Sequence, residues 1–248
     1  MGMQLRSEAF EILRGREAPF LFTCEHASNR VPAPLTTADA DRQWLESHWG
    51  WDIGIPPMAR AMLERLGGSA VLARFSRLVC DPNRRPDAET LIRTHIHDEP
   101  LSFNRGLHAG ERQRRLDALH GPYHGAVHAE ATRLAPADPL LLSLHSFTPE
   151  LDGAVRPMEL GVLFHEWEPQ ARDLRDRLAG AGFSVALNEP YSGRGGLIYA
   201  IRRHGLTHDR VFLELEVRQD LLADEGRARQ VGARVAEALA GWRWRAGP

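Results

Sequence analysis

Lysine is missing from this chain: all 31 residues of the Lys+Arg set are arginine. Genome composition accounts for that more readily than selection for bidentate anion binding. Cysteine is scarce, with only Cys24 and Cys80, each inside an apolar run and neither in a C-x-x-C pair. A disulfide framework and a thiolate zinc site are thereby excluded, leaving two buried thiols. Cys24 stands two residues before His26, and strand alternation places both on one face, so a nucleophilic thiol remains an alternative. Long blocks of one charge sign are also lacking. A formal net charge of -2, evenly spread, predicts neither a nucleic-acid stripe nor a polybasic membrane patch. No window reaches the roughly 18 apolar residues of a membrane span, and "MGMQLRSEAFEILRG" has no apolar core of signal-peptide type. The expectation is a cytoplasmic protein without nucleic-acid or membrane partners.

What is present suffices for a sizeable core. With 248 residues, 43% of them hydrophobic, one domain over residues 1–248 is expected. Short β-rich runs ("PFLFTCEH", "SAVLARFSRLVCD", "PLLLSLHSF", "LGVLFHE", "FSVALNEP", "RVFLELEVRQD") alternate with helical ones. The helical runs are "IPPMARAMLERLGG", "HGAVHAEATRLAPAD", "PQARDLRDRLAGAG" and a stretch from about Glu225 to Ala240. Nearly continuous apolar strands between helices predict an α/β fold whose sheet is covered on both faces. Gly67-Gly68, Gly180 and Gly182 mark helix ends. Residues 84–115, rich in charge and histidine and weak in period, read as long surface loops with short helices.

Ligand sites in such sheets form beyond the carboxyl ends of the strands, and there the polar residues gather. "FLFTCEHASNRVP" runs from apolar residues straight into Glu25 and His26, and His145 closes "LLLSLHSF". Neutral imidazole is a preferred zinc donor, and a hydrolytic site needs three protein ligands with one open position. The third donor is Asp52 or His48, both from "HWGWDIG". In "LELEVRQD", Glu214, Glu216 and Arg218 share one face, and Glu216, nearer the exit, is the better proton carrier. Asp81-Pro82-Asn83 is a turn signal, flanked by Arg77 and Arg84, which can clamp a carboxylate in bidentate fashion. "NEPYSGRGG" brings Asn188, Tyr191 and Arg194 into a glycine-rich loop suited to close ligand approach or to an ordinary surface turn. Pro122-Tyr123-His124 reads as a cap for the helix that follows.

The pieces "CEHASNRVP", "HWGWDIG", "SRLVCDPNR", "PYH", "LHSFTP", "NEPYSGRGG" and "LELEVRQDL" occur in an order that resembles the N-formylglutamate amidohydrolase family. The resemblance spans about Phe20 to Leu222. It implies a three-layer αβα sandwich with a central mixed, mostly parallel sheet, similar to zinc exopeptidases and N-acetylmuramoyl-alanine amidases. It further implies a zinc ion on His26, Asp52 and His145, with Glu216 as general acid/base. The substrate would be an N-acyl amino acid such as N-formylglutamate, bound through Arg77, Asn83, Arg84, Asn188, Tyr191, Arg194 and Arg218. Asp52 stands where the related amidases carry Glu and the deformylase branch His, and Asn29 replaces the Glu of the exopeptidase His-x-x-Glu. The alternatives are an amidase for another acyl-amino acid or a muropeptide, and a non-catalytic small-molecule binding module of the same fold.

Overall fold

The computed structural model describes residues 4–151 and 153–244, so the expected domain over residues 1–248 extends past the described residues at both ends. An eight-stranded sheet forms the middle layer. Its strands are β1 (Gln4–Arg6), β2 (Phe10–Arg14), β3 (Phe20–Cys24), β4 (Ser69–Ala73), β5 (Leu140–Phe147), β6 (Leu160–Leu163), β7 (Val185–Leu187) and β8 (Phe212–Arg218). They lie in the order β1-β2-β4-β3-β5-β8-β6-β7. The central four, β4, β3, β5 and β8, run parallel to one another. β2 and β6 flank them antiparallel. The sheet is therefore mixed and mostly parallel, as expected.

Among the described residues seven α-helices accompany it: α1 (Arg42–Glu46), α2 (Ile55–Leu66), α3 (Ala109–Arg115), α4 (Gly121–Leu134), α5 (Glu168–Gly180), α6 (Tyr199–His208) and α7 (Glu225–Leu239). Strand alternation divides the core. Phe22, Cys24, Leu142, Leu144, Leu213 and Leu215 face α2, α5 and α7. Leu21, Val71, Leu141 and Phe212 face α4 and α6. This is the three-layer αβα arrangement.

Local chemistry explains the helices nearest the chemistry-bearing edge. α2 follows Gly54 at φ +82°, a left-handed residue that suits glycine, and opens on Ile55-Pro56-Pro57, with proline where the amide hydrogen has no intrahelical partner. Its buried Ile55, Met58, Ala59, Met62, Leu63 and Leu66 form one stripe at helical spacing. That stripe packs on α7, where Gly232 comes so close that a Cβ would stand 2.5 Å from the Met58 carbonyl oxygen. On the other layer, Glu130 of α4 anchors the β2–β4 edge: it accepts from Arg14 Nε at 3.1 Å, Ser69 Oγ at 2.7 Å and Arg133 Nε at 3.0 Å.

Three expectations change in detail. The β4 strand is confined to Ser69–Ala73, and Phe75, Leu78, Val79 and Cys80 beyond it are buried in turns. Residues 84–115 do carry short helices, yet Leu91, Ile92, Ile96, Leu101 and Phe103 are buried, because they plug the core on the α4/α6 side. Pro122, Tyr123 and His124 lie within α4 rather than capping it. Cys24 and Cys80 are free and buried, and burial raises both thiol pKa values, which removes the nucleophilic reading of Cys24. Among the described residues no helix is long and apolar enough to cross a membrane.

Candidate active site

The strand order reverses between β3 and β5: from β3 the chain passes to β4 on one side, and β5 borders β8 on the other. Such a switch point opens a crevice at the carboxyl ends of parallel strands. His26 lies two residues past β3 and His145 near the end of β5, so the two imidazoles meet across it, with ring centroids 4.7 Å apart. Asp52 comes from the turn before α2, held in place by its own amide donating to the His26 carbonyl at 2.9 Å. One donor atom from each of His26, Asp52 and His145 lies within 4.8 Å of the other two, and all three residues are buried. His48, the other candidate third donor, lines the same cavity but stands outside this cluster.

The hydrogen bonds orient each donor. His26 Nε2 faces Asp81 Oδ1 at 2.7 Å, and His145 Nε2 faces Glu25 Oε2 at 3.1 Å. Each imidazole thus spends one nitrogen on a carboxylate, the arrangement that fixes metal-binding histidines from behind. The remaining nitrogens converge on Asp52, whose Oδ2 is 3.5 Å from His26 Nδ1 and 2.8 Å from His145 Nδ1. His26 Nδ1 is buried without a hydrogen-bond partner. Asp52 is itself held by the Ser146 amide at 3.2 Å and Arg77 Nη1 at 3.6 Å. Two imidazoles and a carboxylate, with an unpartnered buried nitrogen aimed at the shared point, fit a divalent cation of zinc type.

Five carboxyl groups, Glu25, Asp52, Asp81, Glu214 and Glu216, surround this point. Burial works against ionisation of Asp52 and Asp81, but His26 and His145 hold the Asp52 carboxyl well below its ordinary range, and His26, Arg77 and Arg84 do the same for Asp81. Burial likewise opposes ionisation of Glu25, which the bonds from His145 and the Ser143 hydroxyl pull down to about 2. Glu214 and Glu216 behave otherwise. Burial pushes Glu214 up to about 7 and Glu216 up to about 8, and neighbouring carboxylates add to both shifts. Glu216 lies directly opposite His145, and Glu214 opposite Ser143, in the β5–β8 ladder. Each has a buried Oε2 without a hydrogen-bond partner.

These residues form the floor of a cavity of about 320 Å³, a size suited to a small ligand. Arg77, Arg84 and Arg93 stand along its wall. Arg77 and Arg84 lie 3.2 and 3.6 Å from Asp81 Oδ2. Arg93 makes no ion pair among the described residues, and its guanidinium lies 5.7 Å over the Trp49 ring. Partial burial and the charges of Arg77 and Arg84 lower its pKa.

The other residues marked by sequence divide into two groups. Asn83 and Tyr191 line the cavity. The Asn83 amide is already engaged, donating to the Leu197 carbonyl and accepting from the Ala200 amide, both at 2.9 Å, so it fixes the start of α6. Tyr191 accepts from Arg156 Nη2 at 3.3 Å. Asn188, Arg194 and Arg218 are not in the lining. Asn188 Oδ1 ties the Phe164 and Gly193 amides together at 3.0 Å each. Arg194 pairs with Glu168 at 2.7 Å, and Arg218 with Asp220 at 2.7 Å. Sequence places Glu25 and Asp81 at strand exits without giving either a role in the site, and it does not single out Arg93. Adjacency to His26 was the available signal for Glu25, whereas nothing local marks Arg93.

Comparison with known proteins follows the same line. A family model described as N-formylglutamate amidohydrolase matches residues 18–223. The N-formylglutamate deformylase of Pseudomonas aeruginosa is 27% identical over 251 residues, covering 93% of this chain and 91% of that protein. That of Pseudomonas putida is 29% identical over 198 residues, covering 71% and 72%. A crystal structure of a gene product from Agrobacterium tumefaciens superposes with a TM-score of 0.83 at 29% identity, covering 94% of both chains. The N-formylglutamate amidohydrolase of Ralstonia eutropha JMP134, at 22% identity and a TM-score of 0.71, shares the fold over 93% of this chain and 98% of its own.

Proposed function

This chain belongs to the N-formylglutamate amidohydrolase family, and on that premise we propose that it is a single-domain, zinc-dependent hydrolase of N-acyl amino acids such as N-formylglutamate. The enzyme class, an amidohydrolase acting on linear amides, comes with the family. One observation carries the finer reading: the Nδ1 atoms of His26 and His145 both point at Asp52 while their opposite nitrogens rest on Asp81 and Glu25.

His26, Asp52 and His145 would hold the ion. When bound, such an ion acidifies water and polarises an acyl oxygen. Glu216 takes the proton from the attacking water and delivers it to the departing nitrogen; a carboxyl raised to about 8 both accepts and releases a proton near neutral pH. Arg93, free of carboxylate partners among the described residues, binds a substrate carboxylate, and Arg77 and Arg84 make the same wall positive. Trp49 and Tyr191 bound the cavity with aromatic surface.

The test is amine release from N-formyl, N-acetyl and N-carbamoyl amino acids, with and without a chelator. Release from at least one, abolished by chelation and restored by Zn²⁺, is expected. Turnover indifferent to chelation would remove the metal from the reading, and no release from any of them would favour a binding module.

A further inference from the structure

Away from the cavity, five histidines line the contact between α4 and α6. His120, in the helical turn just before α4, and His124 and His128 within α4 recur every fourth residue, and His204 and His208 do so along α6. Such spacing stacks side chains on one helix face. They pair across the two helices as two rungs, with His124 Nδ1 2.9 Å from His204 Nε2 and His128 Nδ1 3.0 Å from His208 Nε2.

The two rungs differ in what fixes their protons. In the inner one, His124 Nε2 lies 3.0 Å from the Pro82 carbonyl oxygen, which only accepts. That nitrogen therefore carries the hydrogen, Nδ1 is the acceptor, and His204 Nε2 donates to it. Both rings are buried, and burial drives the His204 pKa down to about 3 and that of His124 well below its ordinary value. This rung is a neutral hydrogen bond whose tautomer the Pro82 carbonyl locks, so His124 Nε2 cannot release its hydrogen to free the facing nitrogens. In the outer rung, His128 is exposed and His208 half-buried, and neither ring has another hydrogen-bond partner among the described residues. One proton lies between the two facing nitrogens, with nothing behind either ring to hold the tautomer. Burial, His128 and Arg210 lower the His208 pKa, which favours its neutral, metal-binding form. The rung edges a surface depression lined also by His124, His204 and Arg203.

Ligands at about 2.0–2.1 Å subtending a right angle at a metal lie about 2.9 Å apart. The outer rung, at 3.0 Å, has that spacing. It suits the cis positions of a square-planar or tetragonal ion better than a tetrahedral one, whose donors would lie about 3.4 Å apart. We propose that His128 and His208 form a second cation site, a two-imidazole clip for Cu²⁺ or Ni²⁺ that bridges α4 to α6 once the shared hydrogen has moved to the far nitrogen of its own ring. Among the described residues the only cluster of three or more donors is the one at His26, Asp52 and His145, so water completes the coordination at the clip. Bridging reinforces a helix pair that also steadies the active-site loop, since His124 holds Pro82 and His120 Nε2 faces the Arg84 carbonyl at 3.0 Å.

Protein loaded with Zn²⁺ at its first site is titrated with Ni²⁺ by equilibrium dialysis, alongside the variant carrying His128→Gln and His208→Gln. Wild type should take up one Ni²⁺ more than the variant and show a Ni²⁺-dependent rise in Tm that the variant lacks. Turnover without Ni²⁺ should be the same in both, since neither residue touches the cavity. Should the double variant fold poorly by circular dichroism, His208→Gln alone must still abolish the additional equivalent. Equal Ni²⁺ uptake by wild type and variant overturns the proposal, because the facing imidazoles are then only a hydrogen-bonded pair.

Discussion

Glu216 stands directly across the β5–β8 ladder from His145. Both strands are parallel and buried, and their alternation sends leucines toward α2 and α7 and sends Ser143, His145, Glu214 and Glu216 to the other face. A polar row inside a buried sheet is costly unless it is hydrogen-bonded, paired or used. Here the carboxylates surround the imidazoles, and Glu216 faces the cavity with a free oxygen.

Replacing Glu216 by Gln keeps the shape and removes the proposed proton carrier. Turnover should fall about 10²- to 10⁴-fold, while metal content, read by atomic absorption, stays at the wild-type level. Unchanged turnover would take Glu216 out of the mechanism.

Asp81 acts one step further back, through the Nε2 hydrogen of His26. Asp81→Asn should weaken zinc binding about 10- to 100-fold, measured by competition with a chromophoric chelator. An unaltered zinc affinity would mean that Arg77 and the Asx turn, not His26, account for its position.

Arg93 has no carboxylate of its own among the described residues, so its loss should be felt by the substrate. Arg93→Ala should raise KM about 10- to 100-fold, the range expected for a charge-assisted hydrogen bond, with kcat nearly unchanged. Steady-state kinetics on the best N-acyl amino acid decide the point, and a fall in kcat at constant KM would contradict it.

Glu130 gives a test of stability remote from the cavity. Burial opposes its ionisation, but Arg14, Ser69 and Arg133 hold its carboxyl below the ordinary value. A depressed carboxyl stabilises the fold above its unfolded pKa of about 4.3, and that stability is lost as pH falls through the folded value. Glu130→Gln should therefore cost about 1–3 kcal/mol at pH 7, with the gap from wild type narrowing below pH 4. Urea unfolding at a series of pH values reads this directly, and a gap independent of pH would refute the assignment.

Much of this was legible in the sequence because apolar strands that end in histidine are conspicuous: His26 and His145 both lie at such ends, and Asp52 precedes a helix with a clear stripe. The remainder depends on neighbours that sequence does not order. Asp81 reads as a turn former and is one, since the Asn83 amide donates to its Oδ1 at 2.9 Å; its second bond, to His26, exists only because β3 and β4 lie side by side. Arg194 and Arg218 look suited to an anion, but local acids, Glu168 and Asp220, take them up. The hairpin of β1 and β2 escapes notice because Gln4–Arg6 is wholly exposed. α6 is obscured by the glycine-rich stretch before it and by His204 and Gly205 in its buried face.

His26, Asp52 and His145 come from three separate stretches of the polymer, each carried in by a different strand exit or turn. No fragment of the chain contains a ready chelate, and a nascent or loosened molecule offers the ion nothing resembling its seat. Capture of an ion at the proposed site would thus double as an inspection of the finished architecture, passed only when β3, β5 and the approach to α2 have all been assembled correctly.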